Sequence, residues 1–212
     1  MNPEIILIIP VLIFAIVVHE CAHGWVAYKL GDPTAKTAGR LTLNPLPHID
    51  PIGTVVLPLT LLLLRYLTGM GFIFAWAKPV PVNPVYFSNP RKGMLLVGLA
   101  GPVSNFLQAI LMALLIRLVL PLHITVLSSL LFYGVLINIV LGVLNLLPVP
   151  PLDGSRILTG LLPLRMARAY SRLEPMGMFI IILLFSTGFL GAMIWPIIGV
   201  LMNLLLGSSF QG

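Results

Sequence analysis

The sequence predicts an all-α polytopic membrane protein of about five to six transmembrane helices, with a re-entrant extended or β-hairpin segment near residues 71–90. Its 212 residues are 58% hydrophobic and 8% charged, with a mean hydropathy of +1.07, far outside the range of water-soluble domains. Apolar runs of span length alternate with short stretches of Gly, Pro and basic residues, and they make one integral membrane domain over residues 1–212. Between two of these runs, Gly69, Gly71, Pro79, Pro81, Pro84 and Pro90 forbid a continuous helix where the chain has to cross back.

The first helix should run from about Glu4 to Leu30, where Gly31, Asp32 and Pro33 break it. It lacks the basic n-region and small-residue cleavage site of a secretory signal, so it reads as a retained span. Lys29, Lys36 and Arg40 follow it and no basic residue precedes it, which places residues 29–50 in the cytoplasm. A shorter span covers about Ile52 to Thr68. In the stretch after it, Val80, Val82, Val85, Tyr86 and Phe87 favour extended backbone. Extended backbone at membrane depth survives only where protein or a wet cavity shields it, so this segment is expected beside the functional groups. The alternative is a plain cytoplasmic loop.

A third helix is expected from about Lys92 to Leu120, with Gly98, Gly101 and Ser104 allowing close helix approach. A fourth, about Thr125 to Leu147, returns to the cytoplasm carrying Asn138 and Asn145. Pro148, Pro150 and Pro151 stop it, an extended Pro148–Leu152 is expected to dip inward, and Asp153 and Gly154 open a further helical turn or two. Arg156, Arg165, Arg168 and Arg172 mark cytoplasmic chain. The last apolar stretch, Met176 to Leu206, exceeds one span and is either one kinked helix or a helical pair.

Inside the first span stands His19-Glu20-Cys21-Ala22-His23. Residues four apart on a helix point the same way about 6 Å apart along the axis, so both imidazoles can chelate one ion, with Glu20 placed as general base toward a water. An unpaired Glu in a membrane helix is disfavoured by about 2.5 kcal/mol or more, which argues for function rather than accident. Cys21 points away from His19 and reads as a small packing residue. Glu20 sits nine residues before Lys29, roughly 14 Å inside the cytoplasmic boundary, and water has to reach it from that side.

A catalytic zinc takes three protein ligands and keeps an open position. His48, Asp50, His123, Asp153 and Glu174 are the candidates for the third. His123 falls at the external turn, too far away. His48 is chemically suitable but sits among Pro45, Pro47 and Pro51, in an expected turn at the membrane surface. Asp153 follows the proline-broken end of the fourth helix and is preferred, the alternative being an ordinary helix-capping Asp.

At this point the chain resembles the site-2 protease family of intramembrane zinc metalloproteases. HECAH at 19–23, GPVSN at 101–105 and NLLPVPPLDG at 145–154 carry the resemblance, in family order and each in a membrane segment. It implies a zinc metalloendopeptidase binding one Zn2+ per chain through His19, His23 and Asp153, with Glu20 activating water, Asn145 assisting near the scissile carbonyl and Asn105 in a supporting core position. The chain looks like the compact form of the family, without PDZ or CBS modules. The implied substrate is a transmembrane protein or peptide in the lipid bilayer, cleaved in regulated intramembrane proteolysis. The implied location is the cell membrane, multi-pass, with the active site toward the cytoplasm. Lys78, Pro81 and Pro84 belong to a segment whose free edge is expected to dock an unwound substrate strand. Twelve Lys and Arg lie mostly near span ends, so nucleic-acid binding is excluded. The rival reading is a metal-binding or metal-transport protein, which would want ion sites spaced across the bilayer.

Overall fold

The computed structural model describes residues 4–68 and 77–207. Helix α1, Glu4–Lys29, is followed by the single turn α2, Thr34–Thr37, and by a loop that folds back through a short turn at Leu46–His48. Asp50 then caps a widened helical turn by accepting from the N–H groups of Ile52 (3.0 Å) and Gly53 (2.7 Å), leading into α3, Leu57–Thr68. Asn89 and Pro90 supply the cap and first residue of α4, Pro90–Val119, the longest helix described. His123, in the left-handed region at φ 55°, turns the chain into α5, Thr125–Asn145. Four helices complete the chain: α6 (Asp153–Leu161), α7 (Leu164–Ser171), α8 (Gly177–Ser186) and α9 (Phe189–Leu206).

Five helical stretches among the described residues are long and apolar enough to cross a membrane, so the protein is a multi-pass integral membrane protein at the lower end of the predicted span count. The run over Ile52–Thr68 is too short to join them. The ambiguous C-terminal stretch is a helical pair, α8 and α9, turning at Gly188.

Helices α4, α5 and α9 pack around Ala109, Ala113, Ile116, Val135, Ile139, Ile194 and Ile198. Small residues at these contacts let the helices approach, which is how membrane helices associate without a hydrophobic driving force. The outward Leu107, Leu111, Leu114 and Leu118 of α4 are exposed and suit lipid. A second, smaller cluster of Ala27, Val97 and Phe87 ties the end of α1 to α4 and to the chain that leads into α4.

That chain, residues 77–83, is neither helix nor paired strand. The expected hairpin is not seen among the described residues, and residues 71–76 lie outside them. Prolines at 79, 81 and 84 remove three of the N–H donors of this short stretch, which leaves too few for a ladder. The donors that remain point at other partners: Lys78 N–H to His48 O (2.9 Å), Val80 N–H to Glu20 Oε2 (2.9 Å) and Asn83 N–H to Asp32 Oδ2 (2.7 Å). The segment is a strap laid along α1. Asp32 is its distal anchor: burial pushes its carboxyl up, but donors from Thr34 and Asn83 outweigh that and hold it below its ordinary value.

Between α5 and α6 the chain is a run of tight turns, not the extended stretch expected, with Val149 N–H to Leu147 O (2.8 Å) and Leu152 N–H to Val149 O (2.9 Å). Gly154 makes this compaction possible. A Cβ there would lie 2.3 Å from the carbonyl oxygens of Leu146 and Leu147.

Candidate metal centre

Helix α1 places His19 and His23 on one buried face, one turn apart, with their Nε2 atoms 3.0 Å from each other. Asp153 is the first residue inside α6, after the extended Leu152, so it is not the helix-capping residue of the alternative reading. Its Oδ2 lies 3.1 Å from His19 Nε2 and 3.2 Å from His23 Nε2. The other carboxylate oxygen, Oδ1, accepts from Arg156 Nη1 at 3.3 Å.

The outer ring nitrogens fix what the inner ones can do. His23 Nδ1 is 2.6 Å from the carbonyl of Val97, an atom that only accepts, so Nδ1 carries the proton and Nε2 turns a lone pair inward. His19 Nδ1 is 2.6 Å from Asn105 Oδ1, with the same consequence. Three buried acceptor atoms therefore face one another, and Asp153 Oδ2 has no hydrogen-bond donor of its own. Such a cluster is repulsive unless a cation sits among them. Tetrahedral zinc bonds of about 2.0–2.1 Å would separate ligand atoms by about 3.3–3.4 Å, close to the spacings seen. The donor set fits zinc. Glu20 stands close to the same cluster: one ligand atom each from His19, Glu20 and His23 lie within 4.8 Å of one another.

Helix α4 passes close against the Nε2 edges of the imidazoles at Gly101. A Cβ on Gly101 would lie 2.4 Å from His19 Cε1 and 2.5 Å from His23 Nε2, so this position has to be glycine for the two rings to stand as they do. Glu20 is half-buried beside them, held by the N–H of Val80.

The remaining predicted residues fall as follows. Asn105 is fully buried against His19. Asn145 ends α5, and its amide donates to Leu141 O at 3.0 Å within its own helix. Lys78, Pro81 and Pro84 lie on the strap, Lys78 exposed and the two prolines half-buried. His48 is not at the surface as expected but only 2% exposed, because the loop after α2 folds back over α1. Its Nε2 meets Thr42 O at 3.0 Å, on the side of α1 that carries Cys21, whose Sγ donates to the same oxygen at 2.9 Å. Both are thus engaged away from the metal group. Sequence reasoning missed Gly101 as the space at the Nε2 edges of the rings and Val80 as the donor to Glu20. The first was signalled by its place four residues before Asn105, on the same face of α4; the second had no signal, since a backbone N–H leaves no mark in a sequence.

Comparison with known proteins identifies relatives of the chain. Residues 121–187 match the family model described as Peptidase family M50. The chain is 39% identical over 194 residues to "Putative zinc metalloprotease YwhC" of Bacillus subtilis, covering 88% of this chain and 83% of that protein. It is 33% identical over 186 residues to "Putative zinc metalloprotease Rip2" of Mycolicibacterium smegmatis, covering 86% and 67%. The Mycobacterium tuberculosis protein of the same name is 28% identical over 196 residues, covering 90% and 72%. No solved structure matches the chain.

Proposed function

Because the chain belongs to peptidase family M50, and is therefore a membrane zinc metalloprotease, we propose that it hydrolyses peptide bonds in or near transmembrane segments of other membrane proteins, as in regulated intramembrane proteolysis. The observation that carries this reading is the convergence of His19 Nε2, His23 Nε2 and Asp153 Oδ2 within 3.2 Å, the histidines on a helix of membrane-span character and Asp153 at the start of the short α6, with Glu20 alongside. We assign those three side chains as the zinc ligands. When bound there, zinc supplies Lewis-acid polarisation of a water and of the substrate carbonyl.

Glu20 takes the proton of the attacking water and delivers it to the leaving amine, a role its carboxylate can fill in both directions. Val80 N–H holds one of its oxygens and leaves the other for the water. Asn145 is assigned as the donor near the scissile carbonyl, which requires its amide to leave Leu141 O when substrate is present. A helical substrate shields its own peptide bonds, so it has to unwind first. The strap offers a place for the unwound stretch: Pro79, Pro81 and Pro84 have no N–H, so its free edge presents carbonyls that can accept from a strand laid beside it. We place the centre toward the cytoplasmic side of the cell membrane.

Glu20→Gln tests the assignment. The amide cannot take the proton, while both imidazoles and Asp153 are untouched, so cleavage of a model transmembrane peptide in detergent should vanish with zinc content unchanged. Turnover above a few per cent of wild type would remove Glu20 from the role of base.

A further inference from the structure

Among the polar side chains buried in the membrane that have no role yet in this chemistry, one connects to the metal group. Asn138 lies in the middle of α5 and is fully buried, a disfavoured place for an amide unless all of it is hydrogen-bonded. Its partners fix its orientation. At one end are the carbonyl oxygen of Gly134 at 2.9 Å and the thioether sulfur of Met112 at 3.9 Å, two atoms that only accept, so that end is the NH2. Asn138 Oδ1 therefore faces Asn105, whose Nδ2 donates to it at 2.9 Å. With its NH2 thus engaged, Asn105 turns Oδ1 toward His19 Nδ1 at 2.6 Å. A donor–acceptor polarity that begins at a backbone carbonyl of α5 is handed through α4 to α1, and it ends by placing the proton of His19 on Nδ1.

We propose that Asn138 is a positioning residue for the metal centre. It acts through Asn105 to hold His19 in the tautomer whose Nε2 lone pair is free for the metal. Without Asn138, nothing described here prevents the Asn105 amide from turning over and presenting NH2 to His19, which favours the tautomer with its proton on the wrong nitrogen. The inference rests on His19 being a zinc ligand. Outer partners of this kind change metal affinity by about 10–100-fold.

The test uses the full chain purified in detergent. Asn138→Leu keeps the volume and removes the polarity. It should weaken zinc affinity, measured by chelator competition, about tenfold or more. It should also shrink the zinc-induced rise in melting temperature and alter the visible spectrum of the Co2+-substituted protein. A role in packing alone would lower the melting temperature equally with and without metal. Asn138→Asp should recover much of the affinity, because whatever its ionisation the oxygen facing Asn105 still accepts. Wild-type zinc affinity in Asn138→Leu, or equal loss in both variants, would overturn the proposal. A measurement on the unmutated metal-free protein stands even if the variants fail to fold: the 15N shifts of His19, identified against His19→Gln, should report a proton on Nδ1, and an Nδ1 without a proton would overturn the proposal. Should His19→Gln itself keep full zinc affinity, the failure lies with the ligand assignment instead.

Discussion

Asp153 divides its two oxygens between Arg156 and the pair of imidazoles, so a change that spares its shape but not its charge separates a ligand from a structural residue. Asp153→Asn should lose zinc affinity and activity together, whereas His48→Ala should keep both in large part, because His48 reaches Thr42 O on the Cys21 side of α1 and not the metal group. Zinc content of the two purified variants decides it; loss in His48→Ala with retention in Asp153→Asn would reverse the third-ligand assignment. The histidine pair was legible because a spacing of four leaves a helix one geometry. Asp153 was legible because it follows a proline break and fits the family motif. The burial of His48 was not: three prolines around it say turn, and only the fold-back of the loop over α1 says buried. Asn138 was visible as a polar residue in a span, but a helix apolar on every side does not declare which face meets α4.

At the scale of elements, the strap and α1 form one unit, pinned at His48, Glu20 and Asp32. The order Pro79-Val80-Pro81 leaves a single N–H between two residues that cannot donate, and that N–H is the one on Glu20. Val80→Pro removes it. The variant should keep its zinc and lose about tenfold or more in kcat, since the base is freed from its position while the ligands are not touched. Pro81→Ala combined with Pro84→Ala keeps the Val80 donor but frees the edge proposed to receive substrate, so KM should rise more than kcat falls. Steady-state cleavage of a transmembrane peptide separates the two patterns; wild-type constants in all these variants would reduce the strap to a connector. Proline spacing announced a non-helical segment in the sequence. What it could not announce was that the donors left over would be turned onto Glu20 of α1 and onto His48 and Asp32 in the chain after it rather than onto a second strand.

For the whole molecule, element order followed from hydropathy and breakers, because lipid leaves a backbone few options besides helix; the membership of the spans did not, since Ile52–Thr68 falls short and Leu164–Ser186 is long and apolar enough in its place. The undecided part was Met176–Leu206, where apolar length fits one kinked helix or two, and the turn at Gly188 resolves it as two. Sidedness rests on a stronger asymmetry than the first loop alone. The end of α1, the strap, the start of α4, and α6 with α7 gather at one end of the bundle around the metal group, while the α4–α5 turn lies at the other. Lys29, Lys36, Arg40, Lys78, Arg91, Lys92, Arg156, Arg165, Arg168 and Arg172 belong to the first end, Arg117 alone approaches the second, and Arg65 lies on α3. On the positive-inside rule we propose that the first end faces the cytoplasm. Single cysteines at the exposed positions Thr37, Ser171 and Thr125, in a Cys21→Ala background, check this with an impermeant thiol reagent on intact cells. Position 125 should label, and positions 37 and 171 should label only after the cells are opened. Labelling of 37 and 171 but not 125 would invert the molecule, and water and substrate would then enter the centre from outside.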